Sequence, residues 1–255
     1  MFSMSPNPKR NNFLITGTSS GLGKYLYSNL GGVAFNRENI EEQETEVIIH
    51  CAFNRTKDVT TQNLHQYLAD NIFLTKKLAK IPHKKFIFIS SVDVYPKNNS
   101  KHLEDEAIEI NQVAGMYAIT KLMSESLVGN LCPNFLILRC SALLGKDSKA
   151  NSLIKIINQD YPTLALSSVS TFNYILHKDV LEFIKMAIAK DLQGIYNLAA
   201  SENITLSQVA DLLKKEVNFG SYIYSVGNID NSKAASILPS LKKDSNEIIA
   251  QFVKI

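Results

Sequence analysis

NFLITGTSSGLG, residues 12–23, decides the fold. Four apolar or β-branched residues, Phe13–Thr16, run without alternation, as in a strand covered on both faces. Three of the chain's eleven glycines then fall at Gly17, Gly21 and Gly23. Glycine lets a backbone turn sharply and approach a ligand closely. A helical pattern follows to about Leu30, so its free N–H groups and dipole point into the turn. A pyrophosphate fits that electrostatics, with Ser19 and Ser20 adding hydroxyl donors.

Outward from this turn, short apolar runs alternate with helical patterns. Strands are expected at 33–36, 46–51, 85–90, 135–139, 194–198 and 222–225. Helices are expected at 59–80, 111–130, 178–190 and 205–215. This alternation predicts an α/β fold, a Rossmann-like doubly wound parallel sheet with a small C-terminal substrate-binding lobe. The expected organisation is a loose tail at 1–10, a dinucleotide-binding domain at 11–145 and 171–200, and a lobe at 146–170 and 201–255. Only Glu38–Thr45 separates the second strand from the next. A crossover between parallel strands needs a dozen residues or more, so the usual third strand of a dinucleotide fold is predicted missing or vestigial.

Composition narrows the function classes. The chain carries 27 basic and 24 acidic residues, net +3, with no Lys/Arg block, which argues against a nucleic-acid partner. Three scattered cysteines exclude a disulfide framework and lack metal-ligand spacing, so no metal is expected. No apolar run reaches eighteen residues and residues 1–10 lack a signal-peptide core, so no membrane association and a cytoplasmic location are expected.

About twenty residues past Gly17, a ribose-reading group belongs at the end of the second strand. Asn36 and Arg37 stand there. A cation in place of an acid suits the 2′-phosphate of NADP, so NADP is expected over NAD. Tyr117 and Lys121 lie four apart on one helix, hence on one face. A nearby ammonium is expected to lower the tyrosine pKa into a working range for acid–base chemistry. Ser91 ends a strand at the carboxyl edge, where ligands sit in such sheets.

The ordered set Gly17…Gly23, Asn71, Ser91, Tyr117 and Lys121 resembles the short-chain dehydrogenase/reductases. The segments HCAF, SSVDVYP, LRCSALLG, YILHKDV and YNLAASENITLSQVADLL resemble the extended branch, the NAD-dependent epimerase/dehydratase family, over about residues 12–250. The resemblance implies that Gly17, Ser19, Ser20, Gly21, Leu22 and Gly23 wrap the cofactor pyrophosphate. It implies that Ala52 and Phe53 border the ribose and nicotinamide side, and that Cys140 to Leu143 lie along the nicotinamide. Ser91 would polarise the substrate oxygen, Tyr117 would be the acid–base, and Lys121 its partner. Asn71 would be structural, and the two long helices would pair in a homodimer.

Some features depart from the family pattern. A single carboxylate, Asp93, follows Ser91 where 4,6-dehydratases carry an acidic pair, which argues against that reaction. Residues 163–173 hold no arginine or lysine to clamp a sugar-nucleotide diphosphate, leaving Lys146, Lys149 and Lys155 as substitutes. Asp179 reads as a helix N-cap, not as a catalytic group. The leading expectation is an oxidoreductase that reduces a keto group of a nucleotide sugar. The rivals are a nucleotide-sugar epimerase that retains its cofactor and a non-catalytic dinucleotide-binding sensor or assembly module.

Overall fold

The computed structural model describes residues 12–38, 45–98, 100–148 and 150–254. The expected tail at 1–10 lies outside the described residues. Six parallel strands form the central sheet: β1 (Phe13–Thr16), β2 (Val33–Ala34), β3 (Val47–His50), β4 (Lys85–Ser91), β5 (Phe135–Cys140) and β6 (Gly194–Leu198). Their spatial order is β2-β1-β3-β4-β5-β6. Among the described residues no strand lies beyond β2, which forms the sheet's edge. The short connection to β3 has no room for another strand and its covering helix.

Every residue of β3 and β4 is buried, as their unbroken apolar runs require. Side chains alternate across the sheet. Ile15, Ile49, Ile87 and Leu138 face one core, covered by α1 (Gly21–Leu30) and a later helix, His177–Ala189. Leu14, Ile48, Phe88 and Ile137 face the opposite core, covered by helix 64–79 and by Gly115–Leu131. A second core forms around Leu144, Leu153, Ile156, Leu164, Leu206, Val209 and Ile249. Ala234, Ala235 and Leu241 do not join it and pack instead on the first sheet face.

Several boundaries differ from the sequence reading. Helix 64–79 starts five residues late and contains a π-helical turn, Ala69–Phe73, between two α-helical parts. Asp179 is not an N-cap. Its helix starts at His177, and Asp179 is buried in the first turn, accepting from Ser240 Oγ at 3.3 Å. The last expected strand forms at Asn218–Tyr222, earlier than 222–225.

A buried polar chain ties the sheet's carboxyl edge together. Thr16 Oγ1 accepts from the N–H groups of Cys51 (3.0 Å) and Ala52 (2.9 Å) and bonds His50 Nδ1 at 2.8 Å. With two donors already received, Thr16 gives its own proton to Nδ1. His50 Nε2–H then donates to Thr75 Oγ1 at 3.0 Å, and Thr75 donates to the Asn71 carbonyl at 2.6 Å. The chain requires a neutral imidazole. Burial, aided by Lys121, holds the His50 pKa down to about 3. The unfolded chain therefore binds a proton below about pH 6.5 that the folded chain refuses. Stability is expected to fall as pH drops from 6.5 toward 3. Urea unfolding should show a shallower slope between pH 6.5 and 5 for His50→Gln than for wild type.

Candidate active site

One cavity of about 940 Å³ opens at the carboxyl edge of the sheet, where ligands sit in open α/β folds. Gly17, Ser19, Ser20, Gly21, Leu22 and Gly23 line one end. Gly17 and Gly21 have φ of +72° and +58°, which other residues rarely adopt. A Cβ on Gly17 would stand 3.0 Å from Ala52 N, and one on Gly23 would collide with the Gly17 carbonyl. Glycine at these positions lets the turn pack its backbone on Ala52 and on itself, and the turn forms the cavity wall at the start of α1.

Arg37, Ala52, Phe53, Ser91, Tyr117, Lys121, Cys140 and Leu143 line the same cavity. Asn36 does not. It is exposed, and its Oδ1 accepts from Glu38 N at 3.1 Å, closing a local turn. Arg37 is engaged differently from expectation: its Nη2 pairs with Asp70 Oδ1 at 2.8 Å. The same carboxylate accepts from Gln66 (2.9 Å) and Asn54 (3.0 Å). These donors hold the Asp70 carboxyl below the usual range although burial alone would raise it.

Asn71 belongs to the π-helical turn and is fully buried. Its Oδ1 accepts from Asn54 N at 2.7 Å, and its Nδ2 donates to Asn54 O at 3.1 Å. This reciprocal pair anchors the loop after β3. Ser91 Oγ accepts from Asp93 N at 3.1 Å, so the hydroxyl caps the turn after β4 while facing the cavity. Asp93, also on the cavity wall, accepts from Lys97 (2.6 Å) and from the phenol of Tyr224 (2.8 Å).

The tyrosine–lysine chemistry departs from expectation. Burial, and after it the Asp93 carboxylate, push the Tyr117 phenol well above its ordinary range, against Arg55 and a hydrogen bond with Ser91. Lys121 does not lower it. Its Nζ lies 5.9 Å from the Tyr117 ring centroid and donates instead to the Ile89 carbonyl at 2.6 Å. The ammonium rests 3.7 Å over the Phe53 ring, and Phe53 packs edge-on against Tyr117 at 5.6 Å. Burial pulls Lys121 down to about 7. The site thus holds a neutral phenol beside an amine near half-protonation. The Cys51 and Cys140 thiols, pushed up to about 12 by burial, stay neutral.

The residues fit a dinucleotide. The glycine cradle accepts a group without room for side chains. Ser141 and His177 line the cavity, and their buried Oγ and Nδ1 have no partner among the described residues. The sequence reading missed Asp70, Tyr224 and the contacts of Phe53 with Lys121 and Tyr117; it placed Ser141 within the Cys140–Leu143 stretch along the nicotinamide and gave His177 no role. Ser141 follows directly on the LRC strand end, a signal of position. Tyr224 carries no local signal, since only the fold brings it to Asp93. Among the described residues no cluster of His, Cys, Asp or Glu has metal-binding geometry. No described helix is long and apolar enough to cross a membrane.

Because the unfolded lysine holds its proton up to about pH 10.5 and the folded one only to about 7, Lys121 costs stability fully below pH 7 and progressively less above it. Lys121→Met is expected to gain most stability near pH 7, the gain shrinking by about 1.4 kcal/mol per pH unit toward pH 9.5 in urea unfolding.

Solved structures share this fold. MoeE5 in complex with UDP-glucose and NAD superposes with a TM-score of 0.80 at 16% identity, covering 95% of this chain and 97% of that one. The UDP-glucuronic acid 4-epimerase from Bacillus cereus, in complex with UDP-glucuronic acid and NAD, gives 0.73 at 20% identity over 94% and 99%. A dTDP-4-dehydrorhamnose reductase from Clostridium acetobutylicum gives 0.77 at 16% identity over 95% and 98%. No curated protein sequence matches significantly. The family model described as the NAD dependent epimerase/dehydratase family matches residues 12–199, which the glycine turn and cavity explain, and the chain belongs to that family.

Proposed function

We propose that the protein is a nicotinamide-dependent oxidoreductase that reduces a keto group on a nucleotide sugar. The observation that carries this reading is the convergence of Ser91, Tyr117 and Lys121 with the glycine cradle on one cavity. A bound nicotinamide dinucleotide supplies the hydride. Ser91 holds the substrate oxygen, and Tyr117 gives that oxygen a proton as the carbon is reduced. A phenol kept protonated by burial suits donation in the reductive direction. Lys121, held by the Ile89 carbonyl and the Phe53 ring, lines the same end of the cavity. The second core, facing the cavity through Phe172 and Ala142, forms the substrate lobe.

The cofactor reading favours NAD. The sequence expectation of NADP rests on a free Arg37, but Asp70 already neutralises that guanidinium. A 2′-phosphate would meet the Asp70 charge, whereas ribose hydroxyls can donate to it. The MoeE5 and Bacillus cereus structures, which hold NAD, support the same choice. The exposed apolar side chains of Leu64, Phe73, Met116 and Met123 on the two long helices favour a homodimer.

Titration with NADH and NADPH, read by nicotinamide fluorescence, is expected to give tighter NADH binding. The chain lacks tryptophan, so the background is low. Tyr117→Phe should lower turnover of a 4-keto sugar nucleotide by about 10²- to 10⁴-fold and leave NADH affinity unchanged. Wild-type turnover in that variant would remove Tyr117 from the chemistry. Cofactor that stays bound through purification, with sugar interconversion and no net redox change, would replace the reductase reading by the epimerase one. Light scattering is expected to give twice the chain mass, and Phe73→Glu to halve it.

A further inference from the structure

Arg55 is the cavity cation that the proposed chemistry leaves without a role. It lines the cavity on the loop after β3, between Phe53 and Lys57. The loop is fixed on both sides of it. Asn54 is locked to Asn71 and Asp70, and Asn54 Oδ1 accepts from both Thr56 N (3.0 Å) and Thr56 Oγ1 (2.7 Å). Yet among the described residues the Arg55 guanidinium makes no hydrogen bond and no ion pair. Its five donors stand exposed on the cavity rim without a partner among the described residues, next to the anchored Asn54.

Charge balance sharpens the point. Arg37 is answered by Asp70, and Asp93 by Lys97. Arg55 and its loop neighbour Lys57 remain uncompensated on the cavity wall. Such a lining attracts anions. Phe53, two residues before Arg55, packs against both Lys121 and Tyr117, so the Arg55 loop borders the reacting end of the cavity. The lysines named as substitutes for a diphosphate clamp do not serve there. Lys146 and Lys155 are not on the cavity wall, and Lys155 donates to the Thr163 carbonyl at 2.6 Å. Lys149 lies outside the described residues.

We propose that Arg55 binds a carboxylate on the substrate's sugar ring, which makes the cavity selective for an acidic sugar derivative. This rests on the sugar-nucleotide reading above and narrows it. A carboxylate matches the guanidinium fork.

Calorimetric titration of the NADH-loaded chain with UDP-glucuronate, UDP-glucose and inorganic pyrophosphate tests the proposal. Arg55→Gln is expected to weaken UDP-glucuronate binding about 10-fold or more and to leave NADH affinity unchanged. Arg55→Lys should restore only part of the loss. A loss confined to UDP-glucuronate supports the proposal, and equal losses for all three probes place Arg55 on the phosphates and overturn it. Unchanged affinity for all three, or a parallel loss of NADH binding, overturns the proposal. The sugar-nucleotide reading fails separately if pyrophosphate binds through Arg55 and the UDP sugars bind no more tightly than it does. If wild type binds none of the three, both readings fall.

Discussion

The site depends on one close approach, that of the Gly17 backbone to the backbone at Ala52. Thr16 sets it by receiving two N–H groups from the neighbouring strand's exit. Glycine permits it by having no side chain to interpose. Strands β1 and β3 therefore end in register, and the loops leaving them both line the cavity. From there the constraint passes through His50 and Thr75 to Asn71, and from Asn71 to Asn54. The cofactor turn, the long helix and the Arg55 loop are thus parts of one hydrogen-bonded unit.

A second polar network lies behind the chemistry. Arg139 on β5 makes a forked contact with Glu125, one turn after Lys121 on the same helix. Ser90, next to Ser91, donates to that carboxylate. Arg139 also donates to Tyr95 at 2.8 Å, and Tyr95 to Asn197 on β6. Both ions are buried, so desolvation cancels much of their attraction. What remains is placement: strands β4, β5 and β6 and the Tyr117 helix have one mutual arrangement that satisfies every partner.

Burial also decides the protonation states. Apolar walls formed by Phe53 and Phe88 strip water from Lys121 and Tyr117. Loss of hydration opposes charge on both groups, moving the amine down and the phenol up. In the sequence the pair reads as an ammonium that activates a phenol. In the fold each group is shifted mainly by its own desolvation, and the aromatic ring of Phe53 stands where the two would meet.

Much of the architecture was legible in residues 12–23 and in the apolar runs that follow, because strand burial and glycine-dependent backbone geometry are local properties. That no strand lies beyond β2 among the described residues agrees with the short chain length between β2 and β3. Spacing along one helix was enough to place Tyr117 and Lys121 on one face. Other features required distant segments to meet. Asp70 reaches Arg37 across 33 positions, and Tyr224 reaches Asp93 across 131. No local pattern encodes such meetings, so the sequence determined the sheet, the cradle and the identity of the polar groups. The tertiary structure alone decided which charges are answered and which, like Arg55, have no partner among the described residues, because pairing and desolvation act through space and not along the chain.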